Sequence, residues 1–449
     1  MKHLRQTALV RAACALAFSA MVACSPSNKP NVESTSDSNA EYQPTSGPHG
    51  TDGNCQAPSE WFSGSVPTPD PFAFPSDANN CDFHLISWQY FLWLTEEVSP
   101  GKLRFQTFYT DQAIHPETKD DTYQVLDIVE QALSKGILVD LQGRAVYSNI
   151  MINDVYRDFV LEKQLYDPEV FENFPDTVDF PVGSMSLKAA WKIVAEGEDT
   201  EGLFVTKSDV QELTLVNGNV RIPENPTIQK DVEVALVGLH IAVVVEGHPE
   251  FIWATWEWND NAPDFKVGQK INEPVDDRDW LFYTANTPAL NVNANNAGIL
   301  AFVNEPAQLL APVTQVGRQY RNGGGSDNNM VNIDTINSSV QRQLGSQSVW
   351  SNYFEVGAIW FDNDKGRLVP NWTPNNDPQS RITGSIQLSN SVIETFTQKV
   401  NAQNECFSCH NTMAVTSLPP GIPILPGKNI NTSHILLKAY QNGGQVTRK

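Results

Sequence analysis

Long apolar runs, rich in β-branched and aromatic residues, recur through the middle of the chain. They read LRFQTFYT (103–110), SLKAAWKIV (186–194), VEVALVGLHIAVVV (232–245), FIWATWEW (251–258) and NYFEVGAIWF (352–361). Such composition predicts strands. The two central runs flank Glu246-Gly247-His248-Pro249-Glu250 and predict a hairpin apolar on both faces, hence an interior sheet covered on both sides. A different period marks FHLISWQYFLWLTEE, where Ile86, Tyr90, Trp93 and Leu94 recur at helical spacing behind Asp82 as a cap. This helix is apolar nearly all round, which predicts burial, with Trp88 and Trp93 in the core. Ser391 and Glu394 form a capping-box pattern ahead of Ile393, Phe396 and Val400, predicting a helix there. HILLKAY, capped by Thr432 or Ser433, predicts another at the C-terminus. RNGGGSDNN (321–329) reads as a connecting loop.

The fold class expected is therefore α+β: a large β-rich body with helical insertions (55–385) and a C-terminal helical segment packed on it (386–449). Of the 449 residues, 40% are hydrophobic, enough for a substantial core. The formal charge of −22 argues against nucleic acid as a partner. Residues 1–23, with Lys2, Arg5 and Arg11 before the apolar stretch Ala12–Ala23, read as a cleavable export leader. Residues 24–54 are polar and rich in Ser, Pro, Gly and Asn, and read as a tether. Val232–Val245 is too short and too β-branched for a membrane helix. DNDKG (362–366) lacks the spacing of a calcium loop and reads as a polar turn. Glu257, Asn259 and Asp260 stand at a strand end, where they can face a ligand or simply close a turn. No GxSxG, HExxH, P-loop or dinucleotide fingerprint occurs.

The six cysteines carry the chemistry. Cys14 falls in the leader and Cys55 and Cys81 make a plausible disulfide in an oxidising compartment. Cys406 and Cys409 belong to Glu-Cys-Phe-Ser-Cys-His, which holds a Cys-x-x-Cys-His motif. Two thiols three positions apart on a short turn can add to the two vinyl groups of one porphyrin, and His410 then meets the iron.

Met21-Val22-Ala23-Cys24 resembles a bacterial lipobox, which implies lipidation of Cys24 and an outer-membrane lipoprotein facing the periplasm or the exterior. The last 60 or so residues resemble class I cytochromes c in their order of helix, CxxCH, Pro-rich loop (SLPPGIPILPG) and terminal helix. The wider chain is similar to large secreted bacterial proteins ending in one CxxCH, through SWQYFLWL and PEFIWATWEWNDNAP. The resemblance implies one covalent haem c, with His410 as proximal ligand and the carbonyl of Pro419 or Pro420 on its ring. Where the family places a distal Met this chain has none, and Met413 is too close to His410 to reach the opposite face. His434 stands first as distal ligand, then His240, then Met330, His84, His248 or an open position. The implied function is electron transfer with a redox partner protein or a small electron donor or acceptor. The alternatives are a haem-dependent oxidoreductase or peroxidase, which the size of the body favours, and a ligand-binding module with a structural or sensing haem.

Overall fold

The computed structural model describes residues 54–132, 134–387, 389–398 and 405–445. The expected leader, Cys24, all but the last residue of the tether, and Val400 lie outside these residues.

The fold is α+β, built on one nine-stranded sheet. Its strands are β1 (Tyr109–Thr110), β2 (Val125–Leu126), β3 (Val146–Ile152), β4 (Met185–Ile193), β5 (Val205–Gln211), β6 (Ile228–Val245), β7 (His248–Trp258), β8 (Tyr353–Phe361) and β9 (Ile382–Gly384). They run in the antiparallel order β9-β8-β7-β6-β4-β3-β1; β5 pairs with the early part of β6, and β2 adds parallel to β5. β6 and β7 form the expected hairpin with a tighter turn than the sequence indicated. Val245 pairs with His248, leaving Glu246-Gly247 as the loop, and Gly247 takes a φ of 84°, which a residue without Cβ adopts at no steric cost.

Three elements differ from the sequence expectation. The run at 103–110 yields only Tyr109–Thr110 as strand, because Arg104–Thr107 forms a 3-10 turn. Arg104 is drawn to the Trp93 carbonyl (2.9 Å) and Glu96 (2.7 Å), which bends the chain off the sheet. The stretch read as a connector opens helix α4 (Asp327–Leu344), capped by Ser326. Its apolar stripe of Ile333, Ile336 and Val340 is buried, but four asparagines, poor helix formers, mask the signal. Thirdly, no regular helix forms over 391–398: the chain makes bends and a 3-10 turn, Thr395–Thr397. The capping group is spent elsewhere, since the Ser391 N–H and hydroxyl both go to the Glu257 carboxylate.

The expected first helix forms as α1 (Asn80–Leu94), with Asn79 rather than Asp82 at its cap and Asp82 returning a hydrogen bond to the Asn79 N–H. α1 and α4 cover one face of the sheet, meeting Leu239, Ile241 and Val243 of β6 and Ile252, Ala254 and Trp256 of β7 in one apolar cluster. Cys55 and Cys81 form a disulfide that ties the N-terminal segment to α1.

The alternate residues point to the second face. There α2 (Asp154–Glu162), α3 (Pro168–Asn173) and α5 (His434–Gln441) pack on Ile152, Ala242, Val244 and Phe251. A second cluster joins Val146, Ala190 and Val237 to Val392 and Ile393, and a third joins Ile359 and Phe361 to Trp372 and Phe407. Gly238 lets the 389–398 strap lie directly on β6: a Cβ there would meet Val392 Cγ2 at 2.4 Å. Among the described residues no helix is long and apolar enough to cross a membrane.

Candidate functional site

The CxxCH motif lies on the second face, where Trp253 joins the cluster under α5 to the one around Phe407. Cys406–Ser408 forms a 3-10 turn, closed by the Cys409 N–H (3.1 Å) and His410 N–H (2.8 Å) on the Cys406 carbonyl. Both thiols therefore sit on one turn, and neither is in a disulfide. Phe407 anchors the turn between Phe361 and Trp372, with ring centres 4.9 and 5.7 Å away. Thr412 secures its far end, accepting from the Trp372 N–H (2.8 Å) and donating to the Val369 carbonyl (2.6 Å).

His410 Nδ1 lies 2.8 Å from the Thr432 carbonyl. A carbonyl only accepts, so Nδ1 carries the proton and Nε2 keeps its lone pair. The proline carbonyls expected in this role do not fill it; the hydrogen bond comes from just before α5, because docking of α5 brings Thr432 under the ring. His410 lies between the Trp253 indole (centroids 4.0 Å, 34°) and the His434 ring (3.9 Å, 22°). Burial holds its pKa well below the usual imidazole value, assisted by the neighbouring His434. The ring is thus neutral, as an iron ligand must be.

His434 is placed beside His410, not across from it. Two imidazoles stacked 3.9 Å apart leave no room for a porphyrin between them, and His434 Nε2 is turned to the Cys409 carbonyl at 3.2 Å. As the first residue of α5, its position follows from the packing of that helix. His240 does project from the second face, opposite Lys188 on β4 and Thr255 on β7. Its Nε2 is 2.8 Å from the Asn390 amide nitrogen, so that lone pair is engaged. His84 and His248 belong to the other side: His84 is bound by Glu355 and Asn329, and His248 by Glu250 against Phe74 and Phe83. Met330 lies on α4, which packs on α1 and β8. Glu257 is not turned to this site either; it is buried on Arg318 (2.9 Å) and Ser391, and Asp260 pairs with Arg278.

The sequence reading did not assign Lys188, Asn390 or Thr432 to the site, and gave Glu394 only a capping role. Lys188 left one signal: it is one of two cations, with Lys192, inside SLKAAWKIV, a run otherwise fit for burial. Among the described residues no group of three His, Cys, Asp or Glu forms a metal cage. A haem asks less of the protein, two thiols and one neutral imidazole, and the donors here fit that demand. Burial, with Glu394 and Glu405 nearby, raises the Cys406 thiol well above its usual pKa, so it stands as a neutral thiol. Comparison of the chain with protein-family models, curated proteins and solved structures finds no match.

Proposed function

We propose that the chain is an exported lipoprotein carrying one haem c, bonded to Cys406 and Cys409 and ligated by His410, through which it transfers electrons. The observation that carries this reading is the 2.8 Å hydrogen bond from His410 Nδ1 to the Thr432 carbonyl, which leaves the other nitrogen of the ring unprotonated beside a CxxC turn. Metal-bound histidines characteristically have their second nitrogen held this way. When bound, the haem supplies a one-electron iron couple. The protein's part is to fix the His410 tautomer, exclude water with Trp253 and Phe407, and keep both thiols on one turn. The test is intact mass and pyridine haemochrome of protein matured in a host that assembles cytochromes c: one porphyrin per chain is expected, lost on Cys406→Ser with Cys409→Ser. A mass without porphyrin refutes the proposal. Acylation of Cys24 is tested separately, by lipid labelling that disappears on Cys24→Ala.

A second reading, a haem-dependent oxidoreductase, is favoured by one observation. None of His434, His84, His248 or Met330 stands across from His410, and His240 has its Nε2 engaged by Asn390. An open iron position belongs to a ligand-binding or catalytic haem rather than a plain carrier. A high-spin spectrum supports this reading; a six-coordinate low-spin spectrum supports simple electron transfer.

A further inference from the structure

Three ionisable side chains converge beside the CxxCH turn and are unused by the role proposed so far. Lys188 and His240 are direct partners across β4 and β6, so both project from the second face. Glu394 descends from the strap above, its Oε1 3.7 Å from His240 Nδ1. Among the described residues neither the Lys188 ammonium nor the Glu394 carboxylate has a partner at hydrogen-bond distance.

Asn390 decides what His240 can do. The Asn390 Oδ1 accepts the N–H groups of Val392 (2.8 Å) and Ile393 (2.7 Å), so its amide nitrogen is the group that faces His240 Nε2. An amide nitrogen only donates, hence Nε2 is unprotonated and the proton sits on Nδ1, toward Glu394. Burial, with the Lys188 charge beside it, lowers the His240 pKa to about 3, so the ring is a fixed neutral donor. Glu394 is its complement: burial raises its carboxyl to about 7, against Lys188, which lowers it, and with Glu257, which raises it. The other charges and titratable groups around this space are Cys406, which feels Glu394, Asp127, which faces Lys188, and the neutral His410 and His434.

A neutral donor, a proton-exchanging carboxylate and a cation suit one ligand class, a small acid HX that binds as its anion. We infer that Glu394 takes the proton of such a ligand on entry, that His240 Nδ1–H hydrogen-bonds the anion left behind, and that Lys188 balances its charge. The H–X bond breaks, the proton passes to the Glu394 carboxylate, the bonding pair stays on X, and no electron is gained or lost. The inference rests on the haem proposal above and on its second reading, because the anion needs an open position on the haem as its acceptor.

The test uses haem-loaded protein titrated with cyanide at pH 8, where the probe is mainly hydrogen cyanide and Glu394 is ionised. The visible spectrum reads binding and a dilute pH indicator reads protons. Wild type is expected to retain the proton, because the anion bound beside Glu394 raises its carboxyl further, while Glu394→Gln releases close to one per cyanide bound. His240→Ala and Lys188→Met are each expected to weaken binding about tenfold at unchanged haem content, the loss of one charge-assisted contact. Should Glu394→Gln not fold, wild type alone decides: proton release must grow from near zero toward one as the pH falls below about 7 and Glu394 is already protonated. Equal release in wild type and variant, or a spectrum that cyanide does not alter, overturns the inference and leaves the haem proposal standing. A protein without porphyrin removes both.

Discussion

The two faces of the sheet hold their polar side chains in different ways. Under α1 and α4, His84 is fully buried with both ring nitrogens bonded, to Glu355 at 2.7 Å and Asn329 at 3.0 Å. Trp88 donates to Asn337, which also bonds both the N–H and the carbonyl of Glu355. Under the strap and α5, by contrast, Lys188 and Glu394 have no hydrogen-bond partner among the described residues, and His240 has one, from Asn390. Buried rings and amides bonded to one another specify packing, whereas converging ionisable groups without hydrogen-bond partners are kept where something else is to be bound. The first face is thus structural and the second is where function is to be sought.

The comparison can be broken by substituting the same residue type on each side. His84→Ala leaves the Glu355 carboxyl buried without the ring that hydrogen-bonds it, beside a new cavity, and should destabilise the protein by about 3–5 kcal/mol in chemical denaturation; a loss below 1 kcal/mol would mean that this network is not structural. Next in size, Cys55→Ser with Cys81→Ser frees a loop with a sequence separation of 26, and should lower stability by about 3.5 kcal/mol on the loop-entropy model. His240→Ala on the second face should cost only about 1 kcal/mol, the loss of its bond with Asn390, and its effect should fall on ligand binding instead.

A further contrast is a change of slope with pH. Glu394 has a folded pKa raised to about 7 from an ordinary 4.5. Below 4.5 both the folded and unfolded states are protonated and no penalty exists. Between 4.5 and about 7 the unfolded state gives up the proton first, so stability contributed at this site falls as the pH rises, and above about 7 the penalty is constant. Glu394→Gln should therefore gain on wild type from pH 5 to 7.5 in paired urea titrations. Asp140 and Glu355, whose carboxyl pKa values are also raised by burial, act equally in both proteins and cancel in the difference. A gap that stays constant with pH would place Glu394 in water.

Much of the sheet was legible in the sequence because strand signals are local. SLKAAWKIV, VEVALVGLHIAVVV, FIWATWEW and NYFEVGAIWF all appear within a residue or a few of their observed ends, and the two-sided apolarity of the central hairpin anticipated cover on both faces. α4 was hidden because its asparagines earn their place through tertiary hydrogen bonds, with Glu355, Asn80 and His84, that no local rule describes. The helix expected at Ser391 failed for the converse reason: a sound local signal lost to Glu257, 134 residues away.

The same division runs through the candidate site. Spacing along the chain alone determined that Cys406, Cys409 and His410 share one turn, since residues three and four apart on a turn are neighbours whatever surrounds them. Which carbonyl holds His410, that His434 stacks on it instead of facing it, and that Lys188, His240 and Glu394 gather beside it were decided by tertiary structure. Those contacts join β4, β6, the strap and α5, segments separated by up to about 250 positions, and only the packing of the second face brings them together.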